Sequence, residues 1–484
     1  MAEKLEHRVV SGVAWSFSEK LLSMVVQMAV SIIVARQLAP ADFGVMAILT
    51  FFTSVALTIV DSGFSQTLIR KESPTDGEYR SVLGFNVAMS AILYVVLVAL
   101  AYPLARFYEQ PVISDIAPIL FLVLPINSLC VVQTVMFTRE FRFALLSKIV
   151  FASSLISGII AVVMALAGCG IWSLVAQRLL IMGIKAVAFW SIRRWRSTER
   201  FSMALLRSMA PFSLRLLATD LISAVYNNVA QLFIGKIYSA HSLGFYSQAQ
   251  KLKDLPVTST VQAVQGVTYP ALAKIADTDD KFSAGYLRII NLLSFAVFPV
   301  MLGMVAIAPE MFMLLLGEKW MPTVPYFEIL ALSGLFYPLA IVAYNIIKVR
   351  SDGRVILRLE VVKRVVMTII LAVTIPLGIE AVAWGMTAMA AVDFIINLAA
   401  AMPYANIGIA PILRALIPQF VVAAIMFMVL HLVNPYLSAL SCGVHLFIDV
   451  AIGAISYAAL AYTFRLRAFN EAVTLLRELR SKSA

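Results

Sequence analysis

Apolar runs long enough to cross a lipid bilayer recur fourteen times along the chain, separated by short polar or Gly/Pro-containing breaks. They cover residues 13–35, 43–68, 81–105, 114–137, 147–168, 171–192, 208–236, 243–270, 286–308, 326–348, 357–376, 379–402, 414–433 and 443–464. A helix of ~20 apolar residues, rising ~1.5 Å per residue, matches the hydrocarbon layer of a membrane. The pattern predicts an all-α membrane protein of about fourteen transmembrane helices.

In four of these runs the polar residues keep steps of three and four, so they share one helical face. The first carries Ser16, Lys20, Ser23, Gln27 and Ser31, and the second Thr50, Ser54, Thr58, Asp61 and Ser65. The seventh carries Arg215, Thr219, Ser223, Asn227 and Gln231, with Asp220 and Asn228 at the margins. The eighth carries Ser247, Lys251, Asp254, Thr258, Gln262 and Gln265. Ionised groups inside a membrane cost several kcal/mol, and they usually face a bundle interior or a water-filled cavity. Hydroxyls and amides alone also act as glue between helices, but that role does not account for Lys20, Asp61, Arg215 and Lys251.

A weak internal repeat organises these stripes. Phe17-Ser18-Glu19-Lys20-Leu21-Leu22 recurs as Phe212-Ser213-Leu214-Arg215-Leu216-Leu217, and Phe43-Gly44 opens the second run as Leu243-Gly244 opens the eighth. Two pseudo-symmetric six-helix lobes are expected, residues 1–200 and 201–405, related by an axis along the membrane normal. Two further helices and a basic tail occupy 406–484. The stripes belong to the first two helices of each lobe, which predicts one central hydrophilic cavity.

Charge refines the picture. Alternate connections hold 25 Lys and Arg on one side, whereas the other side holds only Arg36, Arg106, Lys236 and Lys319. Basic loops stay in the cytoplasm, so both termini are expected there. The overall charge of +11 reflects this anchoring rather than nucleic-acid binding. Hydrophobic residues at 61% and charged residues at 13% exclude a soluble enzyme. Three cysteines without CxxC spacing and four scattered histidines suggest neither a metal site nor a disulfide framework. No P-loop, HExxH or GxSxG is present, and the longest outer connection, Pro309 to Pro325, is short for a catalytic loop. Transport is therefore favoured over catalysis, with no cofactor implied.

Individual charges keep two readings. Lys20 and Arg215 lie roughly 11 Å inside their runs; they either face the cavity or snorkel to the interface. Arg178 and Lys185, seven apart, share one face of the sixth run. Asp61 and Asp220 suit either a proton or Na⁺ site or salt bridges to neighbouring helices.

Several segments carry a family resemblance. They are Ser11-Gly12-Val13-Ala14-Trp15-Ser16, Val34-Ala35-Arg36-Gln37-Leu38-Ala39-Pro40-Ala41-Asp42-Phe43-Gly44, Phe137-Thr138-Arg139-Glu140-Phe141-Arg142-Phe143, Gly170-Ile171-Trp172-Ser173-Leu174-Val175 and Leu243-Gly244-Phe245-Tyr246-Ser247-Gln248-Ala249. In order and spacing the chain resembles the Wzx-type polysaccharide-repeat flippases of the multidrug/oligosaccharidyl-lipid/polysaccharide exporter superfamily. The resemblance implies a bacterial inner-membrane protein that turns an undecaprenyl-pyrophosphate-linked oligosaccharide from the cytoplasmic to the periplasmic face by alternating access. The resemblance further implies a role in exopolysaccharide, capsule or O-antigen assembly, and points to a polymerase, a chain-length regulator and a proton or Na⁺ gradient as candidate partners. Lys20, Arg215, Lys251, Arg178 and Lys185 are then candidates for the pyrophosphate. Gln27, Thr58, Ser223, Asn227, Gln231 and Gln262 are candidates for the sugar-facing wall, and Asp61 and Asp220 for ion coupling. A multidrug cation antiporter of the same superfamily, a membrane-embedded glycan transferase and an unspecific lipid scramblase are the competing readings.

Overall fold

The computed structural model describes residues 22–274, 279–351, 353–437, 439–471 and 474, and among them there is no strand. Where their residues are described, the first from Leu22 onward, the expected apolar runs fall on a helix or a pair of helices. Ten helical stretches among the described residues are long and apolar enough to cross a membrane. Four more runs are helical without meeting that measure. One is α1 (Leu22–Gln37); the others are α9 (Met203–Ile237), α10 (Ala240–Lys274) and α15 (Gly353–Thr374). α15 shows why composition alone undersells such a helix. Leu357, Val361, Val365, Ile369 and Val373 form an exposed apolar stripe at four-residue steps, while Glu360, Lys363 and Arg364 lie off it.

The chain divides into two compact units, Met1–Ser247 and Gln248–Ala484. In the first, α2 (Pro40–Asp61) begins with proline, whose fixed φ suits a first helical turn. Asp42 closes that end by accepting a hydrogen bond from the Ala39 amide at 3.1 Å. The second apolar run is not one helix. It breaks after Asp61, where Ser62 (φ 48°) and Gly63 (φ 70°) are both left-handed, and resumes as the seven-residue α3 (Phe64–Arg70). Glycine is suited to this conformation, which a side chain disfavours. The fourth run is likewise split into α5 (Val112–Leu120) and α6 (Val123–Arg139). α4 (Asp76–Phe107), α7 (Phe143–Leu166) and α8 (Trp172–Ile192) are continuous.

A polar lattice fastens α3. Arg139, at the end of α6, donates to the carbonyls of Leu68 and Ile69 (3.0 Å each), Glu72 (2.8 Å) and Lys71. These are carbonyls at the end of α3 that no helical amide reaches. Next to it, Thr75 and the buried Glu78 form a reciprocal capping box at the start of α4, and Glu78 also pairs with Lys71. Glu140 holds Arg142 at 3.0 Å and binds Arg193. The segment from Phe137 to Phe143 is thus a structural joint, with Phe141 turning the chain at φ 54°.

The glycines of the repeat meet each other's strand of backbone. A β-carbon at Gly44 would lie 1.7 Å from the Ala240 carbonyl oxygen, and one at Gly244 would lie 1.8 Å from that of Pro40. The first turns of α2 and α10 therefore cross reciprocally at a distance only glycine permits.

The second unit contains α11 (Asp279–Ala306), α12 (Ala308–Leu315), a 3-10 helix (Glu318–Thr323), α13 (Val324–Ser333), α14 (Tyr337–Arg350), α15, α16 (Ile379–Ala405), α17 (Ile409–Leu437) and α18 (Cys442–Thr463). Its core joins α11, α14, α16 and α17 through Ile290, Val297, Ile346, Leu398 and Val422. The connection expected between Pro309 and Pro325 is folded rather than open: it carries α12 and the 3-10 helix, with Trp320 fully buried. On α16, Asp393 belongs to an ionic cluster. It faces the buried Lys363 of α15 at 3.9 Å, and Lys363 also bonds Glu360 at 2.9 Å.

Candidate functional site

The break after Asp61 creates the wall of a cavity of about 470 Å³ inside the first unit. α2 contributes Leu57, Thr58 and Asp61, and the turn and α3 contribute Gly63, Ser65 and Ile69. α6 contributes Asn127, Cys130, Val131, Thr134 and Val135, α8 contributes Lys185, and α9 contributes Asp220. An apolar cluster of Phe64, Leu68, Val132, Val135, Met136, Leu206 and Met209 packs α3, α6 and α9 together, with Val82 and Leu83 of α4 joining them. That packing holds the walls in place.

Asp61 sits where one helix ends and the next begins. Its carboxylate accepts from the Ser65 amide at 3.3 Å and from the Ser65 hydroxyl. The carboxylate therefore satisfies a free N–H in the first turn of α3 and interacts favourably with the positive end of that helix. Asp220 on α9 lies near enough to act on Asp61 electrostatically. Lys185 places its ammonium 5.4 Å from the centre of the Phe189 ring, and it acts electrostatically on Cys130 across the cavity wall. The cavity therefore combines one cation, two carboxylates, an amide and several hydroxyls. Such a set suits a ligand carrying both hydrogen-bonding hydroxyls and charge.

Of the residues singled out in the sequence, Asp61, Asp220, Lys185 and Thr58 come together here. Arg178, nearly two turns before Lys185 on α8, is exposed and outside the lining. Arg215 and Asn227 are exposed on α9, and Ser223 and Gln231 are half-buried there; none of the four lines the cavity. Gln27 on α1 reaches Ser154 of α7 at 3.5 Å, a contact between packed helices. Lys251 is exposed on α10 in the second unit, where Asp254 pairs with Lys253 at 2.7 Å. Lys20 and the side chain of Gln262 lie outside the described residues. Many hydroxyls of the stripes bond their own helix one turn back, as Thr58 does to the Ser54 carbonyl (2.9 Å) and Ser223 to that of Thr219 (2.9 Å). This satisfies the donor and leaves the oxygen free to accept.

The polar stripes of the sequence did not mark α6 as part of this wall. Asn127 and Thr134 are seven residues apart with Cys130 between them, on one face of a helix that also carries Ser128 and Gln133. That spacing was the available signal, but the polar residues of this run do not keep the single stripe of threes and fours that marked the other four.

Residues 33–325 match the sequence profile of a family described as polysaccharide biosynthesis protein. The chain belongs to this family. Among the relatives of this polysaccharide biosynthesis protein family is the teichuronic acid biosynthesis protein TuaB of Bacillus subtilis, 23% identical over 334 residues, 68% of each chain. The succinoglycan biosynthesis transport protein ExoT of Rhizobium meliloti is 24% identical over 331 residues, 68% of this chain and 67% of that one. The lipopolysaccharide biosynthesis protein WzxC of Escherichia coli is 22% identical over 343 residues, 68% of each. Among solved structures, the lipid II flippase MurJ in an inward closed conformation aligns with a TM-score of 0.73 at 13% identity, covering 93% of this chain and 98% of that one. An inward-facing multidrug transporter of the MATE family aligns at 0.62 with 15% identity, covering 79% and 94%. The fold is thus that of the MurJ and MATE structures, and the protein is a multi-pass membrane member of the polysaccharide biosynthesis protein family.

Proposed function

We propose that the protein flips an undecaprenyl-pyrophosphate-linked oligosaccharide repeat unit from the cytoplasmic to the periplasmic face of the bacterial inner membrane, by alternating access. The observation that carries this reading is the cavity of the first unit, where Lys185 stands among Asn127, Thr58 and Thr134. A sugar head needs amide and hydroxyl partners. A pyrophosphate needs cations, and its bonds to them are stronger for being charge-assisted. The relatives named for teichuronic acid, succinoglycan and lipopolysaccharide biosynthesis support a glycan cargo.

In this reading Lys185 is the first cation of the path, and Lys20, Arg215, Lys251 and Arg178 supply others at successive depths. Lys20 and Arg215 occupy matching places in the repeated segment of the lobes 1–200 and 201–405. Asp61 and Asp220 bind the proton or Na⁺ whose gradient drives the cycle, and both termini are cytoplasmic. A polymerase and a chain-length regulator act on the product at the periplasmic face.

A deletion strain is expected to accumulate lipid-linked repeat units on the cytoplasmic side. Wild-type protein should clear them, and Lys185→Ala should not, at unchanged membrane abundance. One charge-assisted contact contributes about 1.5–3 kcal/mol, so the loss should reach one to two decades in rate. Full clearance by Lys185→Ala and by the Lys20→Ala, Arg215→Ala double variant would refute the cationic path. The two carboxylates beside one lysine favour a second reading, export of a small organic cation. Under it the deletion strain shows drug sensitivity with no lipid-linked intermediate.

A further inference from the structure

Outside the cavity, a buried ionisable cluster joins α12 to α18 in the second unit. His445 and Asp449 are four residues apart, hence on one face of α18, and Glu310 stands in the first turn of α12. His445 Nε2 is 3.3 Å from Asp449 Oδ2, and His445 Nδ1 is 3.9 Å from Glu310 Oε1. The side chain of Asp449 is 1% exposed, that of His445 7% and that of Glu310 14%. Among the described residues neither Asp449 oxygen has a hydrogen-bond partner, nor has His445 Nε2 or Glu310 Oε2. The Cys442 thiol donates to the Glu310 backbone carbonyl at 3.3 Å, fastening α12 to the start of α18.

We propose that Glu310, His445 and Asp449 form a proton-binding site that locks α12 against α18. A neutral imidazole has one N–H and can serve only one of the flanking carboxylates, whereas an imidazolium has two and can serve both. Without the proton, two carboxylates face each other across an uncharged ring in an apolar setting, which buried charges avoid. The charges acting on Asp449 are those of His445 and Glu310. The other elements packed on α18 bring Arg414 and His431 from α17, and Asp280, Lys281 and Arg288 from α11. His431 stacks on Phe427, and Arg288 pairs with Glu471. A metal ion fits less well: among the described residues no group of three His, Cys, Asp or Glu is placed to hold one.

The chain has four histidines, so the test is direct. Full-length protein with ¹⁵N-labelled histidine, purified in detergent micelles, should give an assignable His445 signal that disappears in His445→Gln. That signal is expected to pass from two protonated nitrogens to one as pH rises. Its midpoint should move by about one pH unit in Glu310→Gln and in Asp449→Asn, the order expected for a charge within ~4–6 Å. Glu310→Gln, at a helix end, keeps the test available if Asp449→Asn does not fold. A His445 signal with one fixed protonation state throughout, or a midpoint unmoved by the carboxylate variants, would overturn the site.

Discussion

Substituting Gly44 by alanine places a methyl carbon 1.7 Å from the Ala240 carbonyl oxygen, and Gly244→Ala places one 1.8 Å from that of Pro40. Ordinary carbon–oxygen contact is about 3.3 Å or more, and the obstructing atoms are backbone, so no rotamer change relieves the clash. The first turns of α2 and α10 must separate by over an ångström. Overpacking of this kind costs about 1–3 kcal/mol, which depletes the crossed state by about 5- to 150-fold relative to any state in which the turns are apart. Labelling a buried neighbour reads this directly. Ile48 is fully buried, and its side chain lies 3.2 Å from where a β-carbon on Gly235 would stand. In a background with Cys130, Cys169 and Cys442 replaced by serine, Ile48→Cys should react slowly with a maleimide. Adding Gly44→Ala should raise the labelling rate at least fivefold, and the double glycine variant should raise it further. If both variants reach normal abundance with Ile48→Cys still protected, the crossing tolerates a β-carbon and the reasoning fails.

Four other outcomes are expected, three from the site and its helices and one from the charge of the connections. Asp61→Ala removes the acceptor for the first turn of α3 and should cost about 0.5–2 kcal/mol in a thermal-stability assay, as a lost helix cap does. Asp61→Asn keeps an oxygen there and should be milder. If Asp61→Asn and Asp220→Asn both leave transport and its gradient dependence unchanged, the carboxylates are structural and not coupling groups. Arg139→Ala frees the carbonyls at the end of α3 and should lower membrane abundance, with Arg139→Lys restoring it only in part because it lacks the planar fork; equal abundance of all three forms would sink the joint. Reporter fusions after Ala484 and between Ser197 and Ser202 should be active only as cytoplasmic reporters, and a periplasmic signal at either would reverse the topology.

The helices were legible because burial in a bilayer makes apolar run length and break position nearly sufficient. The breaks inside runs were less so. Gly63 marks one, but Phe121 and Leu122 lie between α5 and α6 without a glycine, and Pro118 and Pro125 merely flank the site. Lys185 was visible from its depth in an apolar run, and Asp61 from its helical stripe. Asn127 was not, since the helix also carries the amide of Gln133, and sequence alone does not tell which of the two faces a cavity and which a neighbour. The segment around Arg139 shows the opposite case. Its order marked the family, yet its work of closing the end of α3 became evident only once the carbonyls of residues 68–72 were brought to it by folding.

The short helix α3 is held at both ends by residues that are not its own. Asp61 grips its first turn and Arg139 its last. A seven-residue rod clamped in this way transmits force rather than absorbing it. Any shift of α6, which bears Asn127 and Thr134 on one side of the cavity and Arg139 at its end, is delivered through α3 to the Asp61 carboxylate on the other side. The α6 wall of the cavity and the Asp61 carboxylate opposite are thereby joined through one short helix.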